Sequence, residues 1–196
     1  MSIGNQNEIT VRVTCSNEKL NQILLENGFR EIHQYDSIDT FLIPNEIDIF
    51  NEKIRNILSK AILLRESNGI TVEKHRERIT FKSKNINEEG QIISQYSVNC
   101  DVNNLKDAKE LFEHIGYKEI MKIKEKHTSF EKNGLKLVIK YISNDNILIE
   151  AETNEKYHNT EELKEEINKT SIPFDHSNYF VKKAEEELEK IIRSGE

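Results

Sequence analysis

Four segments of this chain alternate in strand fashion between a mainly apolar and a mainly polar face, and a strand with two such different faces must bury one and find an environment for the other. "EITVRV" (8–13) sets Ile9, Val11 and Val13 against Glu8, Thr10 and Arg12. "RITFKSK" (78–84) places Arg78, Thr80, Lys82 and Lys84 opposite Ile79, Phe81 and Ser83. "LKLVIKYI" (135–142) carries Leu135, Leu137, Ile139 and Tyr141 on one side, with Lys136 and Lys140 on the other. "DNILIEAET" (145–153) separates Ile147, Ile149 and Ala151 from Leu148, Glu150 and Glu152. Successive strand side chains point to opposite faces, so each pattern assigns a side to every residue. Two architectures satisfy it. In a sheet packed on helices the polar face meets water; in a closed barrel it points into a channel and helices cover the apolar exterior.

Helical spacing occupies the intervals. Leu20, Ile23 and Leu24 form a stripe closed by Gly28, and Leu105, Ala108, Leu111, Phe112 and Ile115 form another closed by Gly116. "LLENGFREI" (24–32) and "LFEHIGYKEI" (111–120) share an apolar pair, an acid, Gly-aromatic, a base and Glu-Ile. They predict an internal duplication, about 8–100 and 101–155, inside one domain spanning 1–196. Two more helices are expected within 160–193, one after Asn159 and one from about Ser177 carrying Tyr179, Phe180, Ala184, Leu188 and Ile191.

The charged faces differ from strand to strand. Glu150 and Glu152, with Glu8, offer hard oxygen ligands suited to Mg²⁺ or Mn²⁺. Arg12, Arg65, Lys82 and Lys84 suit a polyphosphate, through the guanidinium fork and the compact ammonium charge. A solvated strand face is the plain alternative for each residue alone. The formal net charge of −7 argues against nucleic acid as a partner. The six histidines have no zinc-ligand spacing, and neither a Gly-x-Ser-x-Gly elbow nor a Gly-rich phosphate loop is present. Cys15 and Cys100 read as ordinary small side chains. No apolar run is long enough for a membrane span and no signal peptide is evident, so a cytoplasmic protein without membrane contact is expected.

In this order the features resemble the CYTH superfamily of triphosphate tunnel metalloenzymes, which includes class IV adenylate cyclases and thiamine triphosphatases. "EITVR" is similar to the family's opening Glu-x-Glu-x-Lys, "DTFLIP" (39–44) to its Asp-x-Tyr-Phe element, and "AILLRES" (61–67) to its Ala-Leu-Arg-x-Arg element. "ITFKSK" resembles its Leu-Thr-x-Lys strand, "GYKEIMKIKEKHTSF" its second-half basic strand, "ILIEAE" its closing Glu-Ile-Glu strand and "SNYFVKK" its late Ser-Tyr helix. The resemblance implies an α+β fold built on a closed eight-stranded antiparallel barrel with a polar lumen and helices outside. It implies a metal side made of Glu8, Glu150 and Glu152, and a phosphate side made of Arg12, Arg65, Lys82, Lys84, Lys124 and Lys126. No catalytic residue is assigned beyond these. The substrate implied is a small-molecule triphosphate (inorganic tripolyphosphate, thiamine triphosphate or a nucleoside triphosphate), handled with Mg²⁺ or Mn²⁺; a homodimer is one candidate assembly, which the sequence does not decide.

The chain also departs from the pattern. Thr10 stands at the second Glu, Arg12 at the Lys, Leu63 at the first Arg of Ala-Leu-Arg-x-Arg, and Lys140 at a usual Asp. Gln95 falls at an acid position and His127 near a usual Arg. Hydrolysis is expected over cyclisation, because no purine pocket is specified. The alternative is a catalytically weakened polyphosphate- or nucleotide-binding module of the same fold.

Overall fold

The computed structural model describes residues 7–71, 74–86, 92–143 and 146–195, with the backbone alone for 85–86, 92–95 and 143. Its strands are β1 (Glu8–Arg12), β2 (Arg30–Pro44), β3 (Ile62–Gly69), β4 (His75–Ile86), β5 (Ile92–Val102), β6 (Tyr117–Lys132), β7 (Leu135–Ser143) and β8 (Asn146–Glu152). The helices are α1 (Asn17–Glu26), α2 (Ile54–Ser59), α3 (Leu105–His114), α4 (Thr160–Asn168) and α5 (Lys183–Ser194). All strands join one antiparallel sheet in the order β1-β8-β7-β6-β2-β3-β4-β5. The two longest strands, β2 and β6, pair at its centre, and each follows a helix closed by glycine. Gly28 (φ +77°) and Gly116 (φ +94°) take the left-handed conformation that turns the chain from helix into strand.

The sheet is strongly curled. β1 and β4 stand six places apart, roughly 29 Å on a flat sheet at about 4.8 Å per strand. Yet Lys84 Nζ lies 3.3 Å from Glu8 Oε1. On the convex side α1 and α4 cover β1, β7 and β8, burying Ile9, Val11, Leu20, Leu24, Leu137, Ile139, Ile149, Leu163 and Ile167. Each fully buried aliphatic side chain contributes about 1.5–3 kcal/mol. This core fixes the side on which Glu8, Glu150 and Glu152 emerge, because slipping β8 by one residue would drive them into it.

The closed barrel that the resemblance implies is not formed. Among the described residues β1 and β5 exchange no backbone hydrogen bonds, and the sheet is open. The outer edge of β1 is taken by the segment before α5. Thr14 N donates to Pro173 O, Asp175 N to Arg12 O, Thr10 N to Tyr179 O and Val181 N to Thr10 O, each at 2.9 Å. An edge whose donors and acceptors are already satisfied has none left for a neighbouring strand. The same bonds correct the expected last helix. Residues 177–182 form no helix: a turn at His176 and Ser177 leads to Phe180, which bridges to Thr10, and α5 begins only at Lys183.

α5 then turns onto the concave side, where Leu188 is fully buried with Phe41, Leu63, Met121 and Ile123. α3 buries much less than its apolar stripe suggests, leaving Leu111 60% and Ile115 62% exposed. Among the described residues no helix is long and apolar enough to cross a membrane. Leu188→Ala is expected to cost about 2–4 kcal/mol, whereas Leu111→Ala should stay within about 0.5 kcal/mol, as measured by denaturant unfolding. Equal losses for the two would contradict this placement of α5.

Candidate functional site

Pairing of β1 with β8 sets Glu8 opposite Glu152, Thr10 opposite Glu150 and Arg12 opposite Leu148. The register brings three carboxylates together on the concave face. Glu8, Glu150 and Glu152 each present an oxygen within 4.8 Å of the others. Like charges directly opposite one another repel. Glu152 shows the strain, since desolvation on its inner side, then Glu150 and Glu8, raise its carboxyl above the ordinary value although the residue reaches solvent at the rim. Glu150 behaves oppositely. Burial pushes its carboxyl up, but the adjacent Lys140 ammonium outweighs burial and holds it at about 2. Lys140 donates directly to Glu150 Oε2.

The expected phosphate-side residues are dispersed among other partners. Arg65 makes a two-pronged bond to Asp39, Nε and Nη2 each at 2.6 Å. Arg12 donates to Asn146 and, at 2.5 Å, to Glu186 of α5. Lys84 reaches Glu8. Lys82 is half-buried and, among the described residues, makes neither a hydrogen bond nor an ion pair. Desolvation lowers its ammonium pKa, and Glu8 only partly opposes this. Lys124 and Lys126 do not join the group. They alternate with buried Ile123, Glu125 and His127 along β6, so they project from the convex face into solvent. The side chain of Gln95 lies outside the described residues.

Sequence reasoning missed a second buried cluster. Asp39 and Glu125 both face Lys183 of α5, with Asp39 Oδ2 at 3.4 Å and Glu125 in closer contact. Beside them His127 Nε2 lies 2.9 Å from Ser37 Oγ, and its ring stacks on Tyr35 at 4.3 Å. Burial, with the charges of Lys140, Lys183 and Arg65, holds the imidazole at about 3, so it is neutral at pH 7. Among the described residues, Glu125 Oε2 and His127 Nδ1 are buried without hydrogen-bond partners. The signal was the alternation of "MKIKEKHTS", which puts Glu125 and His127 on the same side as Met121 and Ile123. Leu63, at a missing Arg position, packs against Phe41 and Met121.

A carboxyl raised by its surroundings contributes stability below its unfolded value, near 4.3, and loses it as pH rises through the folded value. Glu152→Gln is therefore expected to raise the metal-free Tm at pH 7, by on the order of 1–2 °C. The gain should vanish near pH 4, and a lowered Tm at pH 7 by thermal scanning would contradict the crowding of the three acids.

No protein-family model and no curated protein matches the sequence. Solved structures do. The PH1819 protein of Pyrococcus horikoshii OT3 is 15% identical, with a TM-score of 0.70, over 94% of this chain and 99% of its own. HpAC1 of Hippeastrum, a candidate adenylyl cyclase with a dominant triphosphatase activity, is 14% identical, with a TM-score of 0.58, over 97% of this chain and 96% of its own. A candidate adenylate cyclase of Vibrio parahaemolyticus is 11% identical, with a TM-score of 0.58, over 94% and 97%. At such identities the likeness is one of fold: this chain has the CYTH-like fold, with its sheet left open.

Proposed function

We propose that this chain binds the phosphate chain of a small-molecule triphosphate on its concave face, in the cytoplasm, and hydrolyses it with Mg²⁺ or Mn²⁺. The observation that carries the reading is the convergence of Glu8, Glu150 and Glu152 beside the ammonium of Lys82, which has no hydrogen-bond or ion-pair partner among the described residues. Three crowded carboxylates, one with its proton affinity raised, are the donor set a hard divalent cation takes. Such an ion supplies charge neutralisation for the phosphates and a more acidic water. Lys82 offers its free donors to a phosphate oxygen. Arg12, held at the end of the same face, reaches substrate by exchanging Glu186 for phosphate. Arg65 stays on Asp39 and orients the floor. Phosphoryl transfer asks little more of a protein than positioning and charge. The dominant triphosphatase activity of HpAC1, a protein of the same fold, supports hydrolysis over cyclisation.

A second reading, a polyphosphate-binding module with little or no turnover, is favoured by the internal pairing of Arg12, Arg65 and Lys84. The two separate in calorimetric titration with inorganic tripolyphosphate, with and without Mg²⁺, followed by phosphate release in the same samples. Hydrolysis predicts Mg²⁺-dependent release that Glu152→Gln reduces by about 100-fold or more, roughly the loss of one electrostatic contact to the transition state, with weaker binding in Lys82→Ala. Binding indifferent to Mg²⁺ without release establishes the module instead. No binding of tripolyphosphate under either condition contradicts both.

A further inference from the structure

Lys140 is the feature of this face that neither catalysis nor packing explains. It extends from β7 diagonally across to β8, where its own cross-strand partner is Leu148 and Glu150 is opposite Val138. Its ammonium passes over that nearer neighbour to donate to Glu150 Oε2, with both side chains about 15% exposed. Glu150 is one of the three carboxylates that converge, so a cation belonging to the protein already occupies one third of the cluster. Lys84 touches Glu8 at 3.3 Å from the far side of the curl, but as a longer and more exposed contact. Glu152 has no ion pair among the described residues. The three acids are thus graded: one held tightly by an internal ammonium, one loosely, one not at all.

We propose that Lys140 is a positioning residue that sets the affinity of the carboxylate cluster for divalent cations, by holding Glu150 in an internal ion pair against which an incoming ion competes. The inference rests on the reading of the cluster as a cation site. A divalent ion first meets Glu8 and Glu152 and gains Glu150 only at the expense of the Lys140 bond. The ammonium also stays within a few ångströms of the ion and repels it. Both effects weaken binding relative to three free carboxylates, so the cluster responds to the metal concentration rather than holding an ion permanently. The charge on Lys140 is what matters, more than its stem, which lies along the sheet.

The test is Mn²⁺ binding, followed by electron paramagnetic resonance of the free ion and by calorimetry, on the full chain. Lys140→Met is expected to bind Mn²⁺ at least about tenfold more tightly, since a unit charge near the ion is removed. Lys140→Gln, which keeps a donor for Glu150 and guards against loss of the fold, should tighten binding in the same direction. Lys140→Arg should restore the original affinity. Glu152→Gln should abolish binding in every background. If Met and Gln at position 140 leave Mn²⁺ affinity unchanged while Glu152→Gln still weakens it, the cation site stands and the role of Lys140 is overturned. If the wild type and all the variants fail to bind Mn²⁺, the cation site falls and this inference with it.

Discussion

Curling of the sheet is the constraint on which the rest depends. Strands six places apart come close enough for Lys84 to meet Glu8, and charges that would be scattered over a flat sheet are gathered into one space. Removing charges from water is costly, and each demands a partner nearby. Most find one internally: Arg65 with Asp39, Lys183 with Glu125, Lys140 with Glu150, and Arg12 with Glu186. Two side chains stand out against this neutralised background. Lys82 is short of acceptors and Glu152 is crowded by acids, so the imbalance is concentrated where a phosphate and a cation could resolve it together.

The end of the chain does two jobs in that arrangement. Residues 173–181 hydrogen-bond to Thr10, Arg12 and Thr14 along the outer edge of β1, on the side where the sheet stays open. α5 then lies over the concave face, anchored by Leu188 in apolar contact and by Lys183 and Glu186 in ion pairs. One segment therefore guards a backbone edge that would otherwise invite another strand and supplies countercharges to the floor of the site. Arg12 joins the two roles, since its carbonyl accepts from Asp175 and its guanidinium from the same residue holds Glu186.

Local periodicity made β1, β4, β7 and β8, the two glycine-closed helices and the sidedness of Glu8, Glu150, Glu152 and Lys82 legible in the sequence, because alternation and left-handed turns depend on neighbours in the chain. Features made by distant partners were not legible. Asp39 and Lys183 lie 144 residues apart in sequence, and Arg12 and Glu186 174 apart. The strip 177–182 has helical spacing, yet its backbone is held out of a helix by hydrogen bonds to Thr10 of β1. Closure of the barrel failed as an expectation for the same reason, since which segment wins the edge of β1 is settled between remote parts of the chain. Lys124 and Lys126 were within reach of sequence reasoning: the alternation that buries Ile123 already turns them outward.

Whether the three carboxylates form a cation site is decided most directly by diffraction from crystals grown with Mn²⁺, using anomalous differences at the manganese edge. A peak enclosed by Glu8, Glu150 and Glu152, within bonding distance of Glu152, is expected. A well-ordered map with no peak there, and the three acids splayed towards solvent, would contradict it.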